Sequence, residues 1–481
     1  MARPAIRIMI WLMRCPDRMS RAEDLCDEEW TMKDTLNRRD FLRQTAVAGF
    51  GAGLAGLAVS GCADGLRWAA APADWSDKPK DLVKVGFVGI GNQGRSHVGN
   101  LLKIEGCRIT AVCDILPERA QWASKQITAA GHPEPAVYTS GERDFARMCK
   151  TEDLDLVYTV TPWQWHTPVC VAAMENGKHA ASEVPIATSL EECWQLVETA
   201  EKTRRYCIMM ENCCYDYQEM VTLNMIRQGL LGEILHAECG YLHDLREHKL
   251  APTTYQGMWR LDFAIRRDGN PYPTHGIGPV AWCMDINRGD AFDYLVSVST
   301  KSVGLNLYAR RKYPKWANQK FKLGDVNTSV IHTVAGKTIL VKHGTHLPRP
   351  YSRDFLIQGT TGIVCKYPTP LVYVEGKSPS DQWEDMEPYS KKYEHPVWTS
   401  LAQKSQGAGH GGMDYIEDYR LIESLRKGEP LDQDVYDAAA WSAIVEASCR
   451  SVARKGKPVD IPDFTRGRWK TNPPLGIITP A

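Results

Sequence analysis

Gly89-Ile90-Gly91-Asn92-Gln93-Gly94 sets three glycines at the spacing that lets a main-chain turn close against a pyrophosphate. Gly89 permits the tight turn, Gly91 lets the phosphates approach the backbone, and Gly94 lets the next helix pack on the preceding strand. Asp114, twenty residues after Gly94, is placed to hydrogen-bond the adenosine ribose hydroxyls. A carboxylate there repels a 2′-phosphate, so the cofactor expected is NAD and not NADP. Other residues able to move protons are scattered. His275 lies in a Pro-Thr-His-Gly loop, and histidine is the side chain type suited to carrying protons at physiological pH. His243 stands beside Asp244, as a catalytic dyad or as a structural hydrogen bond. His410 lies in a glycine-rich loop suited to mobility or substrate contact. The 15 cysteines contain no C-x-x-C pair and no metal-ligand spacing, so they read as small buried apolar residues and no metal is expected.

These groups need elements to carry them. Lys84–Gly89 reads as a buried strand and Arg95–Ile104 as a helix, which gives the glycine motif its strand–turn–helix context. Strands follow at Arg108–Cys113, Leu154–Val160, His179–Glu183 and Tyr206–Met210, with helices at Pro168–Asn176 and Ser189–Lys202. Alternation of this kind implies a Rossmann-type, doubly wound parallel sheet over residues 82–210, with ligands at the carboxyl ends of its strands. Those ends include Thr161–His166, Glu183 and Glu211-Asn212.

Beyond Met210 the texture changes. A helix over Met220–Leu230 precedes alternating runs at Leu235–Leu242, Ala291–Val303, Ser329–Val334 and Thr338–Lys342. They predict an α+β substrate domain over 211–481, with a large, mostly antiparallel open sheet that is polar on one face. Asp434–Arg454 reads as a helix that returns to the first domain.

Lys+Arg and Asp+Glu are both 58, a balance that argues against a nucleic-acid partner. Residues 1–62 read as an address. Asn37-Arg38-Arg39-Asp40-Phe41-Leu42 precedes an apolar run, Thr45–Val59, as in a twin-arginine (Tat) export signal. Val59-Ser60-Gly61-Cys62 resembles a lipobox, which would lipidate Cys62 and anchor the protein in the membrane; Met32 is a natural start, and 63–81 reads as a linker. The expected location is the periplasm or its membrane face. An exported NAD protein must hold its cofactor tightly and return it to its starting state.

From about residue 82 to 470 the chain resembles the Gfo/Idh/MocA family, and more narrowly glycoside hydrolase family 109, the NAD-dependent α-N-acetylgalactosaminidases. The resemblance is carried in order by Pro162-Trp163-Gln164-Trp165-His166, Glu211-Asn212-Cys213-Cys214-Tyr215, Gly240–Arg246, Tyr272-Pro273-Thr274-His275-Gly276, Asp285–Gly289, Arg349-Pro350-Tyr351 and Gly407–Tyr415. One departure from the wider family matters. Its sugar dehydrogenases carry Glu-Lys-Pro where this chain has Glu183-Val184-Pro185. Valine cannot transfer a proton, which disfavours a simple dehydrogenase.

The resemblance implies hydride transfer from sugar C3 to NAD, loss of the C2 proton, elimination at C1, addition of water and return of the hydride. By the same resemblance Tyr215, Tyr272, His275, Tyr351 and Arg260 match functional positions. His275 is assigned as the C3-hydroxyl base and Tyr215 as the C2 base, with Tyr272 and Tyr351 orienting the sugar. Arg260, His243 and His410 are assigned to substrate, and Trp163, Trp165, His166 and Glu183 join Gly89, Gly91, Asn92, Gln93, Gly94 and Asp114 around the cofactor. The expected partner is a carbohydrate, with a homodimer allowed by the open sheet. The competing expectations are an exported sugar oxidoreductase and a non-catalytic sugar-binding lipoprotein.

Overall fold

The computed structural model describes residues 78–477. The twin-arginine segment, Cys62 and most of the expected linker lie outside the described residues.

The first sheet contains β1 (Val83–Val88), β2 (Cys107–Cys113), β3 (Ala136–Tyr138), β4 (Leu156–Thr159), β5 (His179–Ser182) and β6 (Cys207–Met209). Its order is β3-β2-β1-β4-β5-β6, and every pairing is parallel. Val85 and Phe87 of β1 and the whole of β4 and β5 are buried, as strands covered by helices on both faces must be. The strand order reverses between β1 and β4, opening the crevice where ligands of doubly wound sheets bind. Gly89 turns the chain there with φ +88°, and a Cβ on it would lie 2.6 Å from the Val160 carbonyl oxygen. A Cβ on Gly94 would lie 2.2 Å from the Gly89 oxygen. The helix Asn92–Leu101 can therefore sit against the strand only because Gly94 has no side chain.

The second sheet contains β7 (Ile234–Leu242), β8 (Phe292–Ser299), β9 (Asn327–Thr333), β10 (Thr338–Gly344), β11 (Leu356–Gly359), β12 (Gly362–Cys365), β13 (Leu371–Val374), β14 (Glu384–Asp385) and β15 (Val459–Asp460). Its order is β14-β13-β12-β11-β7-β10-β9-β8-β15, antiparallel except for the β7–β10 pair. Ala237, Cys239, Leu295, Ile331, Ile339, Val341 and Ile357 form the packed face. The opposite face is mixed, not simply polar: Val298 and Val330 are exposed alongside half-buried Thr328 and Lys342.

Three helices settle the geometry of the site. Thr274–Cys283 packs on β7, where a Cβ on Gly276 would meet the Gly240 nitrogen at 2.6 Å. His275 thus stands in the first turn of a buried helix, which corrects the expectation of a loop; two glycines and three prolines among Pro271–Pro279 disguised the helix. Val435–Ala453 does return to the first domain, lying against both the helix Leu190–Thr203 and β8. A capping box of Asp434 and Asp437 starts it, and Arg288 bonds both oxygens of Asp437. Met413–Lys427, not foreseen from the sequence, packs on Asn92–Leu101.

Gly94→Ala is expected to cost about 1–3 kcal/mol, the range for overpacking a close contact. A lowered urea-unfolding midpoint, compared with that of the wild type, checks this.

Candidate active site

A cavity of about 610 Å³ runs from the glycine turn to the substrate domain. Gly89, Gly91, Asn92, Gln93 and Asp114 line one end, followed by Trp163, Trp165, His166 and Glu183. Asn212, Tyr241, Tyr255, Arg260, Tyr272, His275 and His410 line the other.

The first end fits a dinucleotide on its own geometry. Gly91 caps the helix Asn92–Leu101 with no side-chain hydrogen bond, and the first turn holds no acidic residue. Its orphan N–H groups are left to a phosphate. A Cβ on Gly91 would project into space, with nothing nearer than 3.9 Å. Asp114 accepts from the Ile90 and Leu116 N–H groups at 2.7 and 2.9 Å, which aims the carboxylate and leaves lone pairs for ribose hydroxyls. Gly94 sits behind the turn and acts through packing alone. His166 is spoken for: its two ring nitrogens lie 2.7 Å from the carbonyls of Pro185 and Thr161. It ties two loops together at the cavity wall, so it serves the cofactor end by holding those loops.

At the second end two buried networks converge. Glu211, just past β6 and fully buried, lies 2.7 Å from His275 Nδ1, and His275 Nε2 lies 3.2 Å from the Tyr272 hydroxyl. The carboxylate holds the proton on Nδ1 and leaves the Nε2 lone pair for chemistry. Only glycine at 278 admits this approach, since a Cβ there would lie 2.7 Å from Glu211 Cγ. Cys213 brings its sulfur within 4.8 Å of these ligating atoms, but its thiol already donates to Asn212 Oδ1. Tyr272 stacks on Trp163, and the Arg260 guanidinium lies 4.9 to 5.1 Å from the ring centres of Trp163, Tyr255, Trp259 and Tyr272. Arg260 has no carboxylate partner among the described residues, so its charge faces aromatic rings and the cavity.

The second network begins past β5. Glu183 Oε1 lies 3.0 Å from His97 Nε2, and His97 Nδ1 lies 2.9 Å from Asp418 Oδ2. Asn100 and Tyr158 also donate to Asp418, each at 3.0 Å. Burial opposes a charge on His97, but Asp418 and then Glu183 outweigh it and hold the imidazole well above its usual range. Burial likewise pushes the Glu183 carboxyl up, and the His97 hydrogen bond and charge overcome this to keep it ionised.

Four sequence assignments change. Tyr215 does not line the cavity; it is 1% exposed, and its hydroxyl donates to Asp432 at 3.2 Å. Burial, then Asp432, pushes its pKa well above the usual phenol range, so it cannot serve as the C2 base. Tyr351 and His243 lie beside Tyr241, at ring-centre distances of 6.0 and 5.9 Å, and neither is among the residues that line the cavity; Tyr351 is exposed. The Tyr351 hydroxyl accepts from Arg353 at 3.2 Å. Asp244 pairs with Arg246 and not with His243, so no His243–Asp244 dyad forms. Glu211, Tyr241, His97 and Asp418 were missed as functional candidates. Glu211 and Tyr241 stood inside quoted motifs; nothing local marked His97 or Asp418.

A parallel Rossmann sheet with its glycine turn at the switch point, followed by a wide, mostly antiparallel sheet, defines an NAD-binding protein of the oxidoreductase type. Residues 83–211 match the model of the oxidoreductase family with an NAD-binding Rossmann fold, and 215–471 match the glycosyl hydrolase 109 C-terminal domain. The chain belongs to glycosyl hydrolase family 109. It is 44% identical to a glycosyl hydrolase family 109 protein of Shewanella pealeana, over 92% of this chain and 99% of that one. A relative from Shewanella sp. strain ANA-3 is 46% identical with the same coverage. In fold it resembles levoglucosan dehydrogenase solved with NADH and levoglucosan (TM-score 0.61, 19% identity, 79% of this chain and 99% of that one). It also resembles scyllo-inositol dehydrogenase of Lactobacillus casei solved with NAD(H) and scyllo-inositol (0.57, 16%, 79% and 99%). The cofactor is NAD, and the protein is an enzyme acting on sugars, a glycosidase or an oxidoreductase.

Asp114→Ser is expected to weaken NAD binding about tenfold or more, the scale of a lost hydrogen bond to a charged group, and to narrow the preference over NADP. Calorimetric titration of nucleotide-free protein with both cofactors checks this.

Proposed function

We propose that this chain is an NAD-dependent glycosidase that cleaves α-N-acetylgalactosaminides or related sugars without net redox change. The observation that carries the reading is the Glu211–His275–Tyr272 chain at the inner end of the cavity, beside a carboxylate and not a lysine at the close of β5. Val184 lines the cavity but is buried and has no group that transfers a proton, and its carbonyl accepts from Trp163 at 3.1 Å.

NAD, when bound, supplies the acceptor and later the donor of a hydride at C3. His275 Nε2 takes the C3-hydroxyl proton, with Glu211 stabilising the imidazolium that forms. Arg260 stabilises negative charge on the C3 oxygen once C2 is deprotonated. With Tyr215 out of reach, Glu183 is the base for C2. Of the three carboxylates lining the cavity, Asp114 serves the glycine turn and Glu142 is exposed near Phe145, leaving Glu183 beside Tyr272. Tyr241 and Tyr272 form the apolar wall against which a sugar ring packs, with Tyr351 and His243 packed edge-on against Tyr241. Export through the Tat route belongs to the same reading, because a reaction that restores its cofactor needs no supply outside the cytoplasm.

The test is incubation of the purified holoenzyme with an aryl α-N-acetylgalactosaminide in deuterium oxide. Aglycone release with deuterium at C2 is expected; release with protium at C2 would overturn the elimination. Glu183→Gln should lower release by about a hundredfold and abolish C2 exchange. Glu211→Gln should lower kcat by roughly the same factor with KM little changed, because it removes the partner of a developing charge. Accumulation of NADH on free sugars, without glycoside cleavage, would favour the oxidoreductase reading that the dehydrogenase fold keeps open.

A further inference from the structure

Trp163, Arg260 and Tyr272 form a wall that two cavities share. Beyond it lies a second, small cavity of about 10 Å³, the space of a single ion or water molecule. Its polar lining comes from Lys249 of the helix Arg246–Leu250, from Arg260 of the helix Trp259–Arg266, and from His343 and Thr345 at the end of β10. Leucine, phenylalanine and proline side chains complete it.

That polar lining is rich in positive charge and in unused donors. Lys249 is 5% exposed and donates to Thr345 Oγ1 at 2.7 Å and to His346 Nε2 at 2.9 Å. An ammonium carries three N–H donors, so one is left for the cavity. Arg260 Nε and His343 Nδ1 are buried without a hydrogen-bond partner among the described residues. Neither Lys249 nor Arg260 forms an ion pair with a carboxylate among the described residues. The carboxylate that acts on Lys249 is Asp325, which stands beyond His346, 3.6 Å from its Nδ1. The other Asp325 oxygen is taken by the Val303 and Gly304 N–H groups. Burial and then the charge of Arg260 push the Lys249 pKa well below its usual range, against the pull of Asp325.

Two basic groups taken out of water around one cavity are costly to bury unless a counter-charge joins them. We propose that this cavity binds a small monovalent anion, chloride, between the Lys249 ammonium, the Arg260 Nε–H and a ring N–H of His343. The donor set suits a halide. Three N–H groups converge from three elements, two of them on basic side chains, and no carboxylate is among the described residues of the lining. The volume leaves no room for a polyatomic anion such as phosphate or acetate. His343 takes part as a neutral imidazole, because burial and then Lys249 hold its pKa well below the usual range. Bound there, the anion keeps Lys249 charged and offsets the positive charge beside the shared wall. It also fixes the Arg260 guanidinium, which stands in both cavities, from the side of its Nε.

The experiment uses crystals of the holoenzyme grown with sodium bromide in place of chloride. Anomalous diffraction at the bromine absorption edge should show a peak in this cavity, bordered by Lys249, Arg260 and His343. In solution the holoenzyme should melt about 2 °C or more higher in sodium chloride than in sodium gluconate of equal concentration, because gluconate is too large to enter. Lys249→Met keeps the length of the side chain without its charge, and His343→Leu removes the ring donor. Each should lose the difference in Tm between the two salts. Absence of the bromide peak from the wild type would overturn the proposal. A peak with no Tm difference, or with the same difference in both variants, would mark an adventitious ion only and would overturn it equally. Neither readout depends on which sugar is cleaved, so a failure here leaves the glycosidase reading standing.

Discussion

A histidine buried between two carboxylates, His97 between Glu183 and Asp418, ties the helix of the glycine turn to the cavity wall and to the helix Met413–Lys427. His97 belongs to the helix that receives the dinucleotide, Asp418 to a helix that returns from the substrate domain, and Glu183 to the cavity wall. Stripping three charged groups of water is expensive, and it is compensated only when they meet in this order with their remaining lone pairs filled. Asn100 and Tyr158 do the filling at Asp418. Losing any one member would leave an uncompensated charge, at a cost of about 3–5 kcal/mol. The chain thus acts as a register pin: it sets where Met413–Lys427 lies on Asn92–Leu101, and hence where the glycine turn carrying His410 meets the cavity.

The second constraint is closeness. Glycines at 94, 276, 278 and 409 each stand where a Cβ would come within 2.2 to 2.7 Å of another atom. They bring a helix onto its strand, His275 onto Glu211, and the turn onto Asp414. At 94 and 276 the absent side chain lets a helix seat on a strand, and at 278 and 409 it lets a histidine, His275 or His410, approach its buried carboxylate. In that low-dielectric setting a backing carboxylate acts strongly on its histidine, and the cation of Arg260, cushioned by four rings, keeps its reach into the cavity.

The Rossmann half was legible because its signals are local. The glycine spacing, the acid after β2 and the alternation of short apolar strands with helices all follow from neighbours in the chain. The wide sheet was legible in outline, through β7 to β10, but its short strands β11 to β15 carry too few residues for a period to register. The site was half legible. His275, Tyr272, Arg260 and the glycine turn do line the cavity, whereas Tyr215 is buried away from it and Tyr351 and His243 lie beside Tyr241 without lining it. A motif marks residues that change together; it does not say which of them touches the ligand and which holds its neighbour.

By itself the sequence determined the fold class, the NAD turn, the family and the absence of a lysine beside Pro185, since each is written in residue types at short spacing. Only the tertiary structure decided which acid backs which base. Glu211 reaches His275 across 64 positions, His97 reaches Asp418 across 321, and no periodicity or propensity links residues so far apart. Their pairing exists because buried charge must be satisfied, and only the packed chain reveals which partners are within reach.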